Sequence, residues 1–405
     1  MRILISGASI SGPVLAYWLT RYGHEVTVVE RAPVLRKTGG HAVDLFGPAM
    51  EISERMGVLR RIESLATGTA LMTVYREGVR KPVRIDVTKI FQAASDRHVE
   101  VMRDDLSEIY YDATRDDVEY VFGDSITSIS DDGDVTFEQG APRRFDLVVG
   151  ADGLHSNVRN LVFGEVPKHF IGAYLAVLTM PNGLQLDGEM ISHTGVGRVA
   201  GVYGARHLGD ARAVFLFRTE HELDYHYRDV PKQKELLRQA FAGMHPDVDG
   251  WLDELDRTPA FYFDSITQLR TDSWSRGRVT LVGDAGYCPG PAVGGSTSLA
   301  VVGAYVLAGE IALAGDDYAA AFASYEREMA TLVVNSRTFA LGAAKSLIPT
   351  SKAGVWALAK AGQLITALPG WVTRGIARLN SRGIRALDSM VVRDYATRSE
   401  ADTHA

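Results

Sequence analysis

Cysteine is almost missing from this chain: Cys288 is the only one in 405 residues. A single thiol excludes an intrachain disulfide framework and suits a reducing compartment, so a cytoplasmic location is expected. Positive charge is not in excess either. The net charge of −7 at pH 7 argues against nucleic acid as a partner, because a binding face for it would tip the balance the other way. The first residues show no basic segment followed by an apolar run and a cleavage site, so no secretory leader is expected. Uncharged apolar runs of about 20 residues, the length of a spanning helix, are lacking. The best candidate, 355–372, is interrupted by Lys360, Gln363, Pro369 and Gly370, so a membrane partner is not expected. Histidines form no pairing of the H-E-x-x-H kind, and no metal site is expected. Internal repeats and low-complexity tracts are also lacking.

What is present reads as an ordinary globular enzyme-sized chain. Hydrophobic residues make up 46% and charged residues 23%, and the length suits two interleaved domains with a tail. Residues 2–6 form a short apolar strand, 13–22 have helical spacing, and 25–30 form a β-branched strand, which together make a βαβ unit. Residues 71–87 alternate around a turn at Glu77-Gly78, as a hairpin does. A strand at 99–102 precedes a helix running to Thr114, with Asp104 as its expected cap. Residues 120–137 read as antiparallel strands with a turn at Asp132-Gly133. Buried strands recur at 146–151 and 279–282. Residues 172–263 are strand-rich, with one helix near 232–243, and a helix is expected over 296–314.

Two stretches carry cofactor chemistry in their own residues. Residues 7–12 (GASISG) lie between a strand and a helix, where a dinucleotide loop must be. Gly7 makes the tight turn and Gly12 lets the helix pack on the strand, so that backbone N–H groups near Ser9 and Ser11 face a pyrophosphate at a helix N-terminus. Ser9 stands where the motif has a glycine, and its small side chain is tolerable. Glu30 ends the second strand, where an acid grips a ribose hydroxyl and favours FAD or NAD over NADP. Asp284 ends a buried strand, placed to accept hydrogen bonds from ribityl or ribose hydroxyls.

Residues 146–159 read DLVVGADGLHSNVR and residues 279–291 read VTLVGDAGYCPGP. With the N-terminal loop they make an ordered set: a glycine loop at Gly7, an Asp-Gly-x-x-Ser-x-x-Arg motif at Asp152, and a Gly-Asp motif at Gly283. In this the chain resembles the aromatic-hydroxylase family, the class A flavoprotein monooxygenases, with a layout similar to p-hydroxybenzoate hydroxylases and tetracycline-inactivating monooxygenases. The motifs bracket most of the chain. The stretch at Gly295 fits the family well but not in full, since the family often has a second small residue and Gln or Gly at that position.

The resemblance implies an α/β fold: a Rossmann-type FAD-binding domain (1–70, 98–171 and 271–317) interleaved with a mainly antiparallel β-sheet substrate domain (71–97 and 172–270), and a C-terminal helical region (318–405). It implies FAD as cofactor and NAD(P)H as co-substrate. Asp152 and Arg159 are the family's link to FAD and to the pyridine nucleotide. Arg103 resembles a flavin-contacting arginine; Arg31 and Arg36 are weaker candidates. Pro291, Gly294, Gly295 and Ser296 would run beside the flavin ring with backbone donors. No acid–base residue is nominated. The implied reaction is reduction of FAD by NAD(P)H, addition of O2 at flavin C4a, and delivery of one oxygen atom from that hydroperoxide to a small aromatic or polycyclic substrate. His41, Val43, Phe215, Phe217 and Tyr262 are the substrate candidates. Rival readings are a tetracycline-type antibiotic-inactivating enzyme of the same class, a non-oxygenating flavin oxidoreductase, and a non-catalytic FAD-binding protein. Residues 318 onward are expected to cover the substrate domain, with Val355, Leu358, Ala359 and Ile365 as the apolar face.

Overall fold

Strands rich in Val, Ile and Leu on both faces must be covered on both faces, and this chain builds a parallel sheet from them. In the computed structural model, which describes residues 1–35, 39–95, 97–205, 207–291, 295–368, 388 and 390–395, a six-stranded sheet runs in the order Ser275–Arg276, Val279–Leu281, Leu147–Gly150, Arg2–Ser6, Glu25–Glu30 and Glu119–Phe122. All its pairings are parallel except the first. Helix Ser11–Arg21 links the first two strands of the chain and packs against helix Ser296–Ala314, with the Trp18 and Tyr305 rings edge to face at 4.8 Å.

Glu119–Phe122 corrects the expectation for 120–137. It is a parallel edge strand with Val29 opposite Val121, while Ile126–Ile129, Asp134–Phe137 and Arg143–Arg144 form a separate antiparallel meander. Alternation identifies a strand but not its partner, and the apolar edge of the parallel sheet took this one.

A second sheet has seven strands, ordered Phe261–Leu269, Lys168–Pro181, Asp210–Arg218, Arg198–Gly204, Glu189–Gly195, Leu71–Arg76 and Val79–Asp86. Only the pairing of Glu189–Gly195 with Leu71–Arg76 is parallel. Successive side chains take opposite faces. On one face Tyr174, Ala176, Ala213, Phe215, Phe217 and Phe263 pack beneath helices Val230–Phe241 and Pro246–Asp253. On the other, Leu175, Val177 and Ile266 pack with Ala340 and Ala344 of helix Tyr318–Leu347, and Val74, Val83 and Ile85 pack with Ala359 of helix Lys352–Ala367.

Among the described residues, helix Ser296–Ala314, and not the candidate stretch 355–372, is long and apolar enough to cross a membrane. Some 78% of its apolar window is buried inside the protein, so it serves as the central core helix. Its one charged residue, Glu310, is buried and partnered: Oε1 accepts from the Tyr395 hydroxyl at 2.8 Å and from Arg393 Nη1 at 3.1 Å. The stretch 390–395 thus returns to the first sheet's helices. Tyr305 donates to the Arg393 carbonyl at 2.7 Å, and the Tyr395 ring occupies the space a side chain on Gly309 would need.

The tail therefore divides its packing. Val355 and Ala359 of helix Lys352–Ala367 are buried over the second sheet, with Leu358 and Ile365 half-buried, while Trp356 and Leu364 face outward. Replacing Tyr395 with alanine should lower unfolding stability by about 3 kcal/mol or more, because it empties an aromatic site and strips a donor from buried Glu310. Urea unfolding measures this. A loss below about 1 kcal/mol would mean the return segment does not hold the fold.

Candidate functional site

Three chain segments converge where the parallel strands end. Gly7 has φ +113°, and a Cβ on it would lie 2.5 Å from the Ala151 carbonyl oxygen, so no side chain is admitted. A Cβ on Gly12 would collide with the Gly7 carbonyl, which lets helix Ser11–Arg21 start directly on the loop. Gly7 N–H donates to Val29 at 2.8 Å. The Glu30 carboxylate accepts from the N–H groups of Ala8 at 3.0 Å and Ala32 at 2.8 Å. It is thereby pinned beside the loop with lone pairs left for a hydroxyl donor. Arg31 is exposed next to it.

Ser9 is put to use. Its hydroxyl accepts from Arg103 Nη2 at 3.3 Å, and its carbonyl accepts from Ser107 at 3.1 Å. Helix Arg103–Asp112 starts one residue before the expected cap, so Asp104 is free for another partner and its carboxylate accepts from Gly40 N–H at 2.7 Å. Arg103 N–H donates to the His41 carbonyl at 3.0 Å. One helix start therefore ties the dinucleotide loop to the segment 39–46.

Across the cleft, Gly283 has φ +66° and closes over Ser11 and Ala300, a Cβ there being 3.2 Å from the Ser11 hydroxyl oxygen. Asp284 follows. Burial pushes its carboxyl up, and the Arg103 guanidinium opposes that shift, so Arg103 and Asp284 are within electrostatic reach of each other. Pro291 is buried in a turn, and Gly295, left-handed at φ 63° and ψ 32°, precedes helix Ser296–Ala314 with no side chain capping it. Ser298 fixes that helix start to strand Ala42–Phe46, accepting from Phe46 N–H at 3.0 Å and donating to the Asp44 carbonyl at 3.1 Å. Gly294 and Arg36 lie outside the described residues.

Asp152 and Arg159 have internal partners. Asp152 accepts from Ser156 Oγ at 2.5 Å and from the N–H groups of Asn157 at 2.7 Å and Val158 at 3.1 Å, securing the first turn of helix Asn157–Phe163. Arg159 is 1% exposed and donates to the carbonyls of Ala285 at 2.8 Å and Leu154 at 2.6 Å. It braces the Asp-Gly loop against the residue after Asp284. In this geometry both hold the Asp-Gly loop and the start of helix Asn157–Phe163 in place.

The second sheet faces this rim through its second face. Arg212 is buried and its Nε donates to the Gly40 carbonyl at 3.1 Å, while Tyr203 Oη accepts from Ala42 N–H at 2.7 Å. Val214 and Leu216 share that face with Arg212. They sit on a strand flanked on both sides and remain half-buried, packed against the cluster of Leu175, Val177, Ala340 and Ala344. Tyr262, also half-buried, has its ring 6.0 Å from that of His41. Burial, aided by Arg103, pushes the His41 imidazole down to about 4, which keeps it neutral at pH 7. His155 of the Asp-Gly loop contacts buried Asp264 at 2.8 Å and stacks on Tyr227 at 4.3 Å.

Three of the substrate candidates are placed elsewhere. Phe215 and Phe217 lie in the core on the far face, against Phe241 at 5.0 and 5.9 Å between ring centroids. They are one residue out of phase with Val214 and Leu216, and a one-residue step changes the face. Val43 points into the core of the first sheet. Asp104, Tyr203, Arg212, His155 and Asp264 were missed. Arg212 carried a usable signal, as a charge inside an apolar strand in phase with Val214; the others had none.

A flavin dinucleotide fits these residues: glycines at both ends of the first loop that open its backbone to a diphosphate, an acid at the end of the second strand, Arg103 and Asp284 within electrostatic reach of each other, and an uncapped helix start. Such a fold and site define an FAD-dependent oxidoreductase. The chain belongs to the FAD-binding domain family, whose model matches residues 1–336, and it is a flavin-dependent monooxygenase of class A. It is 46% identical over 337 residues to an uncharacterized protein of Mycobacterium tuberculosis, covering 80% of this chain and 89% of that one. It is 35% identical over 353 residues to a flavin-dependent monooxygenase of Legionella longbeachae, covering 86% and 90%. Among solved structures it is similar to the tetracycline destructase Tet(51), with a TM-score of 0.81 and 31% identity over 97% of this chain and 99% of that one.

Asp284→Ala should weaken FAD binding roughly 10- to 150-fold, the worth of one charge-assisted hydrogen bond of about 1.5–3 kcal/mol. Titration of the apoprotein by flavin fluorescence measures it. An unchanged affinity would remove Asp284 from the cofactor site.

Proposed function

We propose that the protein hydroxylates a small aromatic or polycyclic compound, using NADH or NADPH as reductant and O2 as the oxygen source. The observation that carries this reading is half-buried Val214, packed with Ala42 and Met102 beside the rim, with half-buried Tyr262 next to His41 and within electrostatic reach of Arg103 and Asp284. An apolar surface beside a cofactor rim suits a flat, largely apolar ligand held against the flavin. Bound FAD would supply the redox chemistry, passing electrons from the nicotinamide coenzyme to dioxygen.

The chain's own residues support that chemistry by placement. The uncapped start of helix Ser296–Ala314 presents backbone N–H groups and the positive end of a dipole, which favour negative charge nearby. Arg103, held between Ser9 and the His41 carbonyl, adds a fixed positive charge at the same rim. Neutral His41 offers hydrogen bonding without a competing charge. The apolar residues of the sheet keep bulk water from the reacting face. A cytoplasmic setting, where nicotinamide coenzymes are available, agrees with the single buried thiol. Similarity to Tet(51) makes tetracycline-like polycycles the first compounds to test.

A true substrate should accelerate anaerobic reduction of the bound flavin by NAD(P)H at least about tenfold, which by population shift needs about 1.4 kcal/mol of preference for the reducible state. Stopped-flow absorbance measures this after a panel screen for coenzyme oxidation and oxygenated product. Substrate-independent reduction with peroxide as the only product would favour a non-oxygenating oxidoreductase instead.

A further inference from the structure

On the face of the seven-stranded sheet away from the flavin rim, three metal-binding side chains meet. We propose that His193, His245 and Asp247 form a zinc site that pins helix Pro246–Asp253 to the sheet. His193 comes from strand Glu189–Gly195, His245 is the residue capping the helix, and Asp247 lies in its first turn. One ligand atom from each lies within 4.8 Å of the other two.

The distances suit coordination as well as an ion pair. Asp247 Oδ2 is 3.2 Å from His193 Nε2 and 3.4 Å from His245 Nδ1. A charge-assisted N–H···O bond usually closes to about 2.7–2.9 Å. Ligand atoms at the corners of a tetrahedron around zinc, with bonds of about 2.0–2.2 Å, stand about 3.3–3.5 Å apart. The donor set agrees: two neutral imidazoles and one carboxylate suit zinc, and a position is left over for water or another ligand.

The surroundings hold the ligands in place. His193 is 3% exposed, stacked on Tyr75 at 5.1 Å and met edge-on by Trp251 at 5.4 Å, so its ring has little freedom to lose. His245 Nδ1 accepts from Asp247 N–H at 3.2 Å, so its lone pair is engaged in the helix cap, and ligation through Nδ1 would exchange that bond for one to the metal. His245 and Asp247 are open to solvent, which gives a metal a path in. Asp247 and Asp249 together place two acidic residues in the first turn, which offsets the positive end of the helix dipole for an incoming cation. Trp251, Val248 and Leu252 of this helix roof the aromatic core around Phe215 and Phe217, so a metal here would lock the cover of the second sheet.

The test uses untagged, FAD-loaded protein stripped with chelator. Titration with zinc should show one equivalent bound per chain and a rise in the unfolding temperature, since a ligand that binds only the folded state stabilises it. Cobalt added in its place should give the absorption of a tetrahedral site. His245→Ser retains a good helix cap but removes the imidazole, and Asp247→Asn removes the charge; both sites are at the surface. Each variant should bind zinc at least about tenfold more weakly, no less than the loss caused by removing a group that merely hydrogen-bonds to a metal ligand. Both should lose the thermal shift while keeping one FAD per chain. Absence of stoichiometric binding, or binding that both variants retain, would overturn the site.

Discussion

The site depends on how closely three backbones approach one another at the ends of parallel strands. Gly7 passes against Ala151, Gly12 sits on Gly7, and Gly283 closes over Ser11 and Ala300. These contacts leave no room for side chains on the three glycines, so a phosphate could approach the backbone at the start of helix Ser11–Arg21, and Asp284 lies within electrostatic reach of Arg103. A methyl group on Gly7 would push apart strand ends that lie side by side in the parallel sheet, and one on Gly12 would push helix Ser11–Arg21 off the loop. The glycines are therefore a condition both of the cofactor cradle and of the fold that carries it.

Around that cradle the structure relies on ties between distant parts of the chain. The segment 39–46 is held from three sides: by Arg103 and Asp104 of one helix start, by Ser298 of another, and by Arg212 and Tyr203 of the second sheet. Arg159 joins the Asp-Gly loop to the turn at Ala285. The end of the chain closes the far side through Arg393, Tyr395 and buried Glu310. Each tie fixes an element that contributes to the rim, so changes well away from the flavin can alter its geometry.

Much of this was legible in the sequence where one signal is local. The strands Arg2–Ser6 and Glu25–Glu30 and the helix Ser296–Ala314 lie where hydrophobic period and glycine punctuation put them. The loop at Gly7 was readable because glycine spacing and the flanking strand and helix occur in one short stretch. Choices that depend on partners were not readable. Glu119–Phe122 joined the parallel sheet because of what lay beside it, not because of its own pattern. Aromatic character points to Phe215 and Phe217, whereas strand phase puts them in the far-face core and their neighbours Val214 and Leu216 on the opposite face. His193 and Asp247, 54 residues apart, cannot be paired by any local motif, so a search for H-E-x-x-H spacing passes over them.

Taken together, the glycine cradle, the Arg103/Asp284 pair and the half-buried apolar surface make one claim: oxygen from O2 is placed on a ligand lying between the flavin and the second sheet. Turnover of a substrate under isotopically labelled dioxygen, followed by mass spectrometry, tests it most directly. The account predicts one labelled oxygen atom in each product molecule, with one NAD(P)H oxidised for each. A product that carries oxygen only from water, or none at all while labelled peroxide accumulates, would contradict it.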